Sequence, residues 1–297
     1  MAVVAPSGPV DPVRLEAGCR RLRELGFDVV VGKHALDQVT LAGSGGVPSG
    51  WHGLAGADAD RAADLQDAWC DSGIRAVLCA RGGYGATRVL DLLDWTALAA
   101  AEPKLLHGSS DITALHVAFG QRLGITTSFG PMVASLVADG EPRSLAHLEA
   151  GLTGDGARVR GTHAIRGGPP ARGVLSGGNL SLLVALLGTA DAPEPATGGI
   201  AFLEDVGEAP YRIDRMLTQL LQAGWFDGVT GVALGTWTDC GDPAELETVF
   251  AARLGPLGVP VLAGLPVGHG STQLTIRLGG VASLDTDAGV LTLAGAR

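Results

Sequence analysis

The sequence predicts an α/β protein, with a parallel sheet flanked by helices in its first half and a mixed, more β-rich second half. Three observations predict it. Short apolar runs alternate with helix-period segments from residue 2 to residue 123. Glycine is abundant, 46 of 297 residues, and many glycines sit where an apolar run gives way to a helical one, as tight connections require. After Pro260 the helical period is lost and short apolar runs separated by turns take over.

In order, residues 2–5 read as a strand, and Asp11 caps a helix over 12–25. Residues 27–31 are β-rich, 57–71 are helical and end near Gly73, and 76–80 form an apolar strand. Residues 87–93 read as helical and 105–106 as a short strand. Residues 111–123 form a helix, with Ile112, Leu115, His116 and Phe119 at i, i+3, i+4 and i+7. From Gly151 to Pro170 the composition turns to Gly, Arg, Thr and Pro, and Gly167-Gly-Pro-Pro170 is a strong breaker. This stretch, 151–170, is expected to join a domain over 1–150 to a second over 171–297. The second half begins with a strand around Val174 and a helix after Gly178-Asn179. A strand over 200–203 follows, then a helix with Ile213, Met216, Leu217, Leu220 and Leu221 on one face, then a strand over 232–234.

A chain of 297 residues can bury a sizeable core without disulfide or metal staples. Its 46% hydrophobic and 18% charged residues exclude a disordered chain. A net charge of −10 argues against nucleic acid and against anionic membrane as partners. Cys19, Cys70, Cys79 and Cys240 are scattered and form no C-x-x-C, so neither a zinc knuckle nor a redox pair is expected. Cys79 in Val77-Leu-Cys-Ala80 reads as a small buried hydrophobe. The N-terminus lacks a basic n-region and no apolar stretch approaches 18 residues. A cytoplasmic protein is expected.

Four segments can carry chemistry. In Lys104-Leu-Leu-His-Gly-Ser-Ser-Asp111 a strand stops at Gly108 and a helix starts soon after. A serine at that bend projects from the sheet edge beside the free N–H groups of a helix start, which can hold an oxyanion. Ser110 is the candidate nucleophile, although no G-x-S-x-G is present; Ser109 competes for the position, and a plain helix cap is the alternative. Arg81-Gly-Gly-Tyr-Gly85 follows an apolar strand. It is neither a dinucleotide fingerprint nor a P-loop, but it turns sharply at the sheet edge where ligands bind. Glu204 and Asp205 follow the apolar run 200–203, either as functional carboxylates or as a solvated loop. His269, flanked by Gly268 and Gly270, has the most site-like setting of seven histidines. His107 closes a strand, and His116 lies on an apolar helix face, where a structural role is the commoner one. His34, His52, His147 and His163 lack supporting context, and no spacing suggests a metal. Together these parts make Ser, carboxylate and His: a hydroxyl, a base for its proton, and an acid to orient the base.

With these residues in place the chain resembles the LD-carboxypeptidase family, the muramoyltetrapeptide carboxypeptidases, which also includes microcin C immunity-type peptidases. The resemblance runs through Ala5-Pro-Ser-Gly8, Arg81-Gly-Gly-Tyr-Gly85, Gly108-Ser-Ser-Asp-Ile-Thr113 and Gly130-Pro-Met132. It continues through Gly177-Gly-Asn-Leu180, Leu203-Glu-Asp205, Tyr211-Arg-Ile-Asp-Arg-Met-Leu217, Gly235-Thr236 and Gly268-His269. It implies a flavodoxin-like first domain and a second domain of β-barrel character. It assigns Ser110 as nucleophile, Glu204 as the triad carboxylate and His269 as base, with backbone N–H groups of Asp111 and Gly83 as the oxyanion hole. It also implies a homodimer without cofactor. Ser109 departs from the aromatic residue or His often found before the nucleophile, and the first strand starts early.

The activity implied is hydrolysis of the L,D-peptide bond that releases terminal D-Ala from a murein tetrapeptide, a small-peptide substrate of cell-wall recycling. Arg81, Gly82 and Arg215 are the candidates for binding substrate, the arginines for its terminal carboxylate; a structural ion pair is the alternative for Arg215. Two other functions compete: hydrolysis of peptidyl or aminoacyl adenylates by the same triad, and binding of muropeptides without cleavage.

Overall fold

The computed structural model describes residues 1–40, 53–137, 142–154 and 156–295. The chain divides into two compact units. One comprises Met1–Ile125 with Pro131–Gly140, the other Thr126–Gly130 with Glu141–Arg297.

The first unit alternates strand and helix: β1 (Ala2–Val4), α1 (Pro12–Glu24), β2 (Val30–Val31), α2 (Asp58–Cys70), β3 (Ala76–Cys79), α3 (Trp95–Ala100), β4 (Leu105–Gly108) and α4 (Thr113–Leu123). The strands lie in the order β2-β1-β3-β4, and all three pairings are parallel. That is the doubly wound, flavodoxin-like order, in which the C-terminal strand ends share one edge. β3 is buried at all four positions, as a strand covered on both faces must be.

Local chemistry sets the helix limits. The Asp11 carboxylate accepts the Arg14 N–H at 2.9 Å and Pro12 opens α1, which buries Leu15, Gly18, Cys19 and Leu22. The helix expected over 87–93 is instead two 3₁₀ turns, Ala86–Arg88 and Leu90–Leu92. Asp94 ends the segment by capping α3, accepting the N–H groups of Thr96 and Ala97 at 3.0 Å each.

The second unit contains β5 (Thr127–Phe129), α5 (Pro142–Thr153), β6 (Ala157–Arg160), β7 (His163–Arg166), β8 (Ala171–Asn179) and α6 (Leu180–Leu186). There follow β9 (Ile200–Val206), α7 (Pro210–Gln222), β10 (Gly231–Thr238), α8 (Pro243–Leu254), β11 (Val261–Ala263), β12 (Ile276–Leu278), β13 (Val281–Asp285) and β14 (Val290–Leu293). An eight-stranded sheet runs β6-β14-β13-β8-β9-β10-β11-β7. β8 to β11 are mutually parallel, and the outer pairings are antiparallel. One apolar core takes Val159 of β6, Leu284 of β13, Leu175 of β8, Phe202 of β9 and Leu262 of β11, together with Phe129 of β5 and Ile276 of β12. Strands from nearly the whole width of the sheet meet in that core because the sheet curls into a half-barrel. The stretch 151–170, expected as a junction, carries the end of α5 and both β6 and β7. Arg158, Arg160 and Arg166 are exposed on these two edge strands, while Val159 is buried.

No helix among the described residues is long and apolar enough to cross a membrane.

One glycine on α1 tests this packing. A β-carbon on Gly18 would lie 2.0 Å from the Val133 carbonyl oxygen. Gly→Ala in a helix interior ordinarily stabilises by about 0.5–1 kcal/mol. Here Gly18→Ala is expected to destabilise by about 1–3 kcal/mol, the cost of overpacking, read as a lower urea midpoint with unchanged m-value.

Candidate active site

In the first unit three loops follow the C-terminal ends of β1, β3 and β4. Ser110 starts a 3₁₀ turn directly after β4 and has φ +58°, a left-handed conformation that non-glycine residues seldom adopt. It is half-buried, whereas Ser109 is buried. Gly82 passes close beside it: a β-carbon there would lie 2.9 Å from Ser110 Cβ and 3.2 Å from its Oγ. Only glycine lets the Arg81–Gly85 loop approach the hydroxyl this closely. Gly83, at φ +109°, lies instead against Gly8, whose N–H donates to the Gly82 carbonyl at 3.1 Å.

Two buried charges lace the loops together. The Asp111 carboxylate is 2% exposed and accepts the Ser7 hydroxyl at 2.6 Å and the Ala86 N–H at 2.7 Å. Burial pushes its pKa up, against those two hydrogen bonds and the nearby Arg61 charge. Arg61 is buried on α2. It donates to the Pro6 carbonyl, to the Gly85 carbonyl at 2.9 Å and to Asp58. The backbone bearing Ser110 is therefore fixed to both neighbouring loops.

Arg81 is half-buried and donates to the Pro9 carbonyl at 2.8 Å. Among the described residues it forms no ion pair, so most of its five donors remain for a ligand. His107 and His116 are buried with their Nε2 atoms on the carbonyls of Pro131 at 2.8 Å and Gly108 at 3.0 Å. Burial lowers both to about 4, as suits structural, neutral imidazoles.

In the second unit β9 continues past Leu203, so Glu204 and Asp205 lie within a strand, not in a solvated loop. Glu204 is 0% exposed, and its Oε2 lies 2.7 Å from His269 Nδ1. A carboxylate only accepts, so Nδ1 carries the proton and Nε2 keeps its lone pair. Burial acts to lower the His269 pKa. The Glu204 hydrogen bond and the charges of Glu204 and Asp205 outweigh it and hold the pKa above its ordinary value.

Asn179, the cap of α6, donates to Glu204 Oε1 at 3.2 Å and to Asp205 Oδ1 at 2.9 Å. Asp205 also accepts the N–H groups of Ser181 and Val206, both at 2.8 Å. Burial nonetheless pushes it up to about 6, with the Glu204 charge adding to the rise. A β-carbon on Gly268 (φ +126°) would lie 2.4 Å from Glu204 Oε2, so glycine is required before His269. Arg215 is exposed, over the Tyr211 ring at 5.8 Å; among the described residues the ion pairs of α7 are made by Asp214, with Arg253 of α8, and by Arg212, with Glu208.

Among the remaining histidines, His34 joins Asp37 and Asp60 in a group with ligand atoms within 4.8 Å of one another. There His34 Nδ1 and Asp37 already satisfy each other at 2.7 Å. His163 pairs with Glu247, and His147 accepts the Thr275 N–H. His52 lies outside the described residues.

Comparison with known proteins gives the family of the chain. Residues 1–130 match the LD-carboxypeptidase N-terminal domain and residues 172–284 the LD-carboxypeptidase C-terminal domain. The chain belongs to the LD-carboxypeptidase family. A Streptomyces coelicolor protein with a carboxypeptidase name is 52% identical over 99% of this chain and 92% of its own length. The murein tetrapeptide carboxypeptidase of Pseudomonas aeruginosa is 34% identical over 96% of this chain and 92% of its own. The crystal structure of a muramoyltetrapeptide carboxypeptidase from Oxalobacter formigenes aligns with TM-score 0.83 and 28% identity, covering 98% of this chain and 97% of that one.

This LD-carboxypeptidase family member is thus a peptide hydrolase by family. Four residues support the candidate residues of their own unit in ways the sequence did not show. Ser7 and Arg61 fix the first-unit loops, and Asn179 and Thr236 support Glu204 and the His269 loop. Ser7, Asn179 and Thr236 stand in the short motifs quoted above. Arg61, in the middle of a helical pattern, gives no sequence signal.

Asp111→Ala would strand the buried Ala86 N–H. It is expected to cost about 1–3 kcal/mol, read as a lower urea midpoint. Asp111→Asn, which keeps an acceptor oxygen and removes the buried charge, is expected to lose less.

Proposed function

We propose that this chain is a serine-type LD-carboxypeptidase that releases the terminal D-Ala of murein tetrapeptides. In this reading Ser110 Oγ attacks the carbonyl of the L-centred dibasic residue, and His269 Nε2 takes its proton. Backbone N–H groups of Asp111 and Gly83 hold the oxyanion. Glu204 fixes the imidazole tautomer and stabilises the imidazolium. His269 then protonates the departing D-Ala amine, and water, activated by the same base, hydrolyses the acyl-enzyme to release the tripeptide.

The observation that carries the reading is the His269–Glu204 pair, 2.7 Å apart with the carboxylate removed from water. A buried acid spent on orienting one imidazole is the arrangement a general base needs. The left-handed Ser110 against Gly82 supports the nucleophile assignment. Arg81, half-buried and without an ion pair among the described residues, suits the substrate's terminal carboxylate, with Gly82 lining the approach and Arg215 as a second cation. The reading includes a cytoplasmic homodimer acting in cell-wall recycling.

Incubation with disaccharide tetrapeptide is expected to yield tripeptide and D-Ala. Ser110→Ala should lower turnover on the order of 10⁴–10⁶-fold. Equal release by wild type and Ser110→Ala would overturn the reading. Turnover of aminoacyl-sulfamoyl adenosines with none of the tetrapeptide would instead favour an acyl-adenylate hydrolase. Tetrapeptide binding without cleavage would favour a binding module.

The pH dependence has a defined sign. His269 must be neutral to accept a proton, and its pKa is raised, so the acid limb of kcat/KM should lie above the ordinary histidine value. Glu204→Gln removes the main raising contribution. Its limb is expected at lower pH, with turnover reduced on the order of 10⁴-fold as the tautomer is lost.

A further inference from the structure

The pairing of β9 with β10 slips opposite Glu204. Leu203 pairs with Leu234 and Asp205 with Trp237, so Gly235 and Thr236 together face the single residue Glu204. A bulge of this kind bends a strand and re-aims a side chain. Gly235 takes the crowded place: a β-carbon there would lie 2.3 Å from the Val267 carbonyl oxygen and 2.9 Å from Glu204 Cβ. Thr236 follows, and its N–H donates to that same Val267 carbonyl at 2.9 Å.

The bulge brings the Thr236 hydroxyl under the His269 loop. Its Oγ1 accepts the N–H of His269 at 2.8 Å and the N–H of Gly270 at 3.2 Å. A β-carbon on Gly268 would lie 2.5 Å from this oxygen and 2.4 Å from Glu204 Oε2. The backbone of the imidazole-bearing residue is thus held by one oxygen and its ring by another, both within van der Waals reach of Gly268.

We propose that Thr236 is a positioning residue for His269: its hydroxyl fixes the loop backbone so that the ring stays on Glu204. The proposal rests on the reading of His269 as the general base, and it names a residue whose hydroxyl holds the backbone of that loop. Two successive N–H groups converge on this oxygen. Without it they would be left unpaired in a half-buried loop, and the loop would turn toward water to satisfy them. That turn would carry the imidazole off Glu204. The charged groups acting on the ring are Glu204 and Asp205, both on β9.

The test compares wild type, Thr236→Val and Thr236→Ser. Valine keeps the shape and removes the acceptor; serine restores it. The His269 ring is titrated by NMR without substrate, and kcat and KM are measured on disaccharide tetrapeptide, with thermal unfolding confirming that each variant is folded. In Thr236→Val the ring pKa is expected to fall toward that of an unpaired histidine. Its kcat should drop about 10- to 100-fold with KM little changed. Thr236→Ser should match wild type in both respects. A Thr236→Val ring that titrates as in wild type, or a Thr236→Ser variant as impaired as Thr236→Val, overturns the proposal. If wild type does not cleave the tetrapeptide, the proposed reaction fails, while the titration still decides the role of Thr236.

Discussion

Glu204 is a carboxylate at the end of a strand face that otherwise buries Ile200 and Phe202, with no exposure to water. An ionised group in such a place is tolerated only where donors surround it. His269 supplies one donor and Asn179 another, and neither is near Glu204 in sequence. The surrounding backbone is shaped to admit those donors. Gly235 makes room for the Glu204 β-carbon, Gly268 for its Oε2, and the β10 bulge gives the returning loop an anchor. The desolvation that makes this acid costly also strengthens its hold on the imidazole, because the hydrogen bond acts without competition from water.

The first unit solves a related problem with two buried charges. Asp111 and Arg61 reach main-chain groups of the loops after β1 and β3, and Asp111 also takes the Ser7 hydroxyl. Ser110 can remain in a left-handed conformation because the residue after it is tied down so firmly. Parallel strand order brings these loops to one edge; the two charges keep them there.

Much of the fold was legible because it is local. β1, α1, α2, β3 and α7 carry strong period or capping signals within a few residues of themselves. α8 has a cap in Asp242-Pro243, yet its buried stripe is only Leu246, Phe250 and Leu254, too narrow to stand out among Ala and Glu. β9 reads as ending at Leu203 because two acids follow. It runs on to Val206 because Asn179, Ser181 and His269 satisfy those acids from 24 to 65 residues away. For the same reason Ser110, Glu204 and His269 could be nominated from their local settings, whereas the supporting parts played by Ser7, Arg61, Asn179 and Thr236 could not. Each depends on a partner that no window of sequence contains.

Arg61 grips oxygen atoms of the chain itself, at Pro6 and Gly85, and the Asp111 carboxylate takes the amide of Ala86. Between these fastenings Tyr84 projects outward, 43% exposed, flanked by Gly83 and Gly85 at φ +109° and +123°. The Tyr84 phenol reaches the Arg88 guanidinium, which grips the same Asp58 that Arg61 holds, so a change at position 84 is passed through that shared carboxylate to the fastenings beneath it.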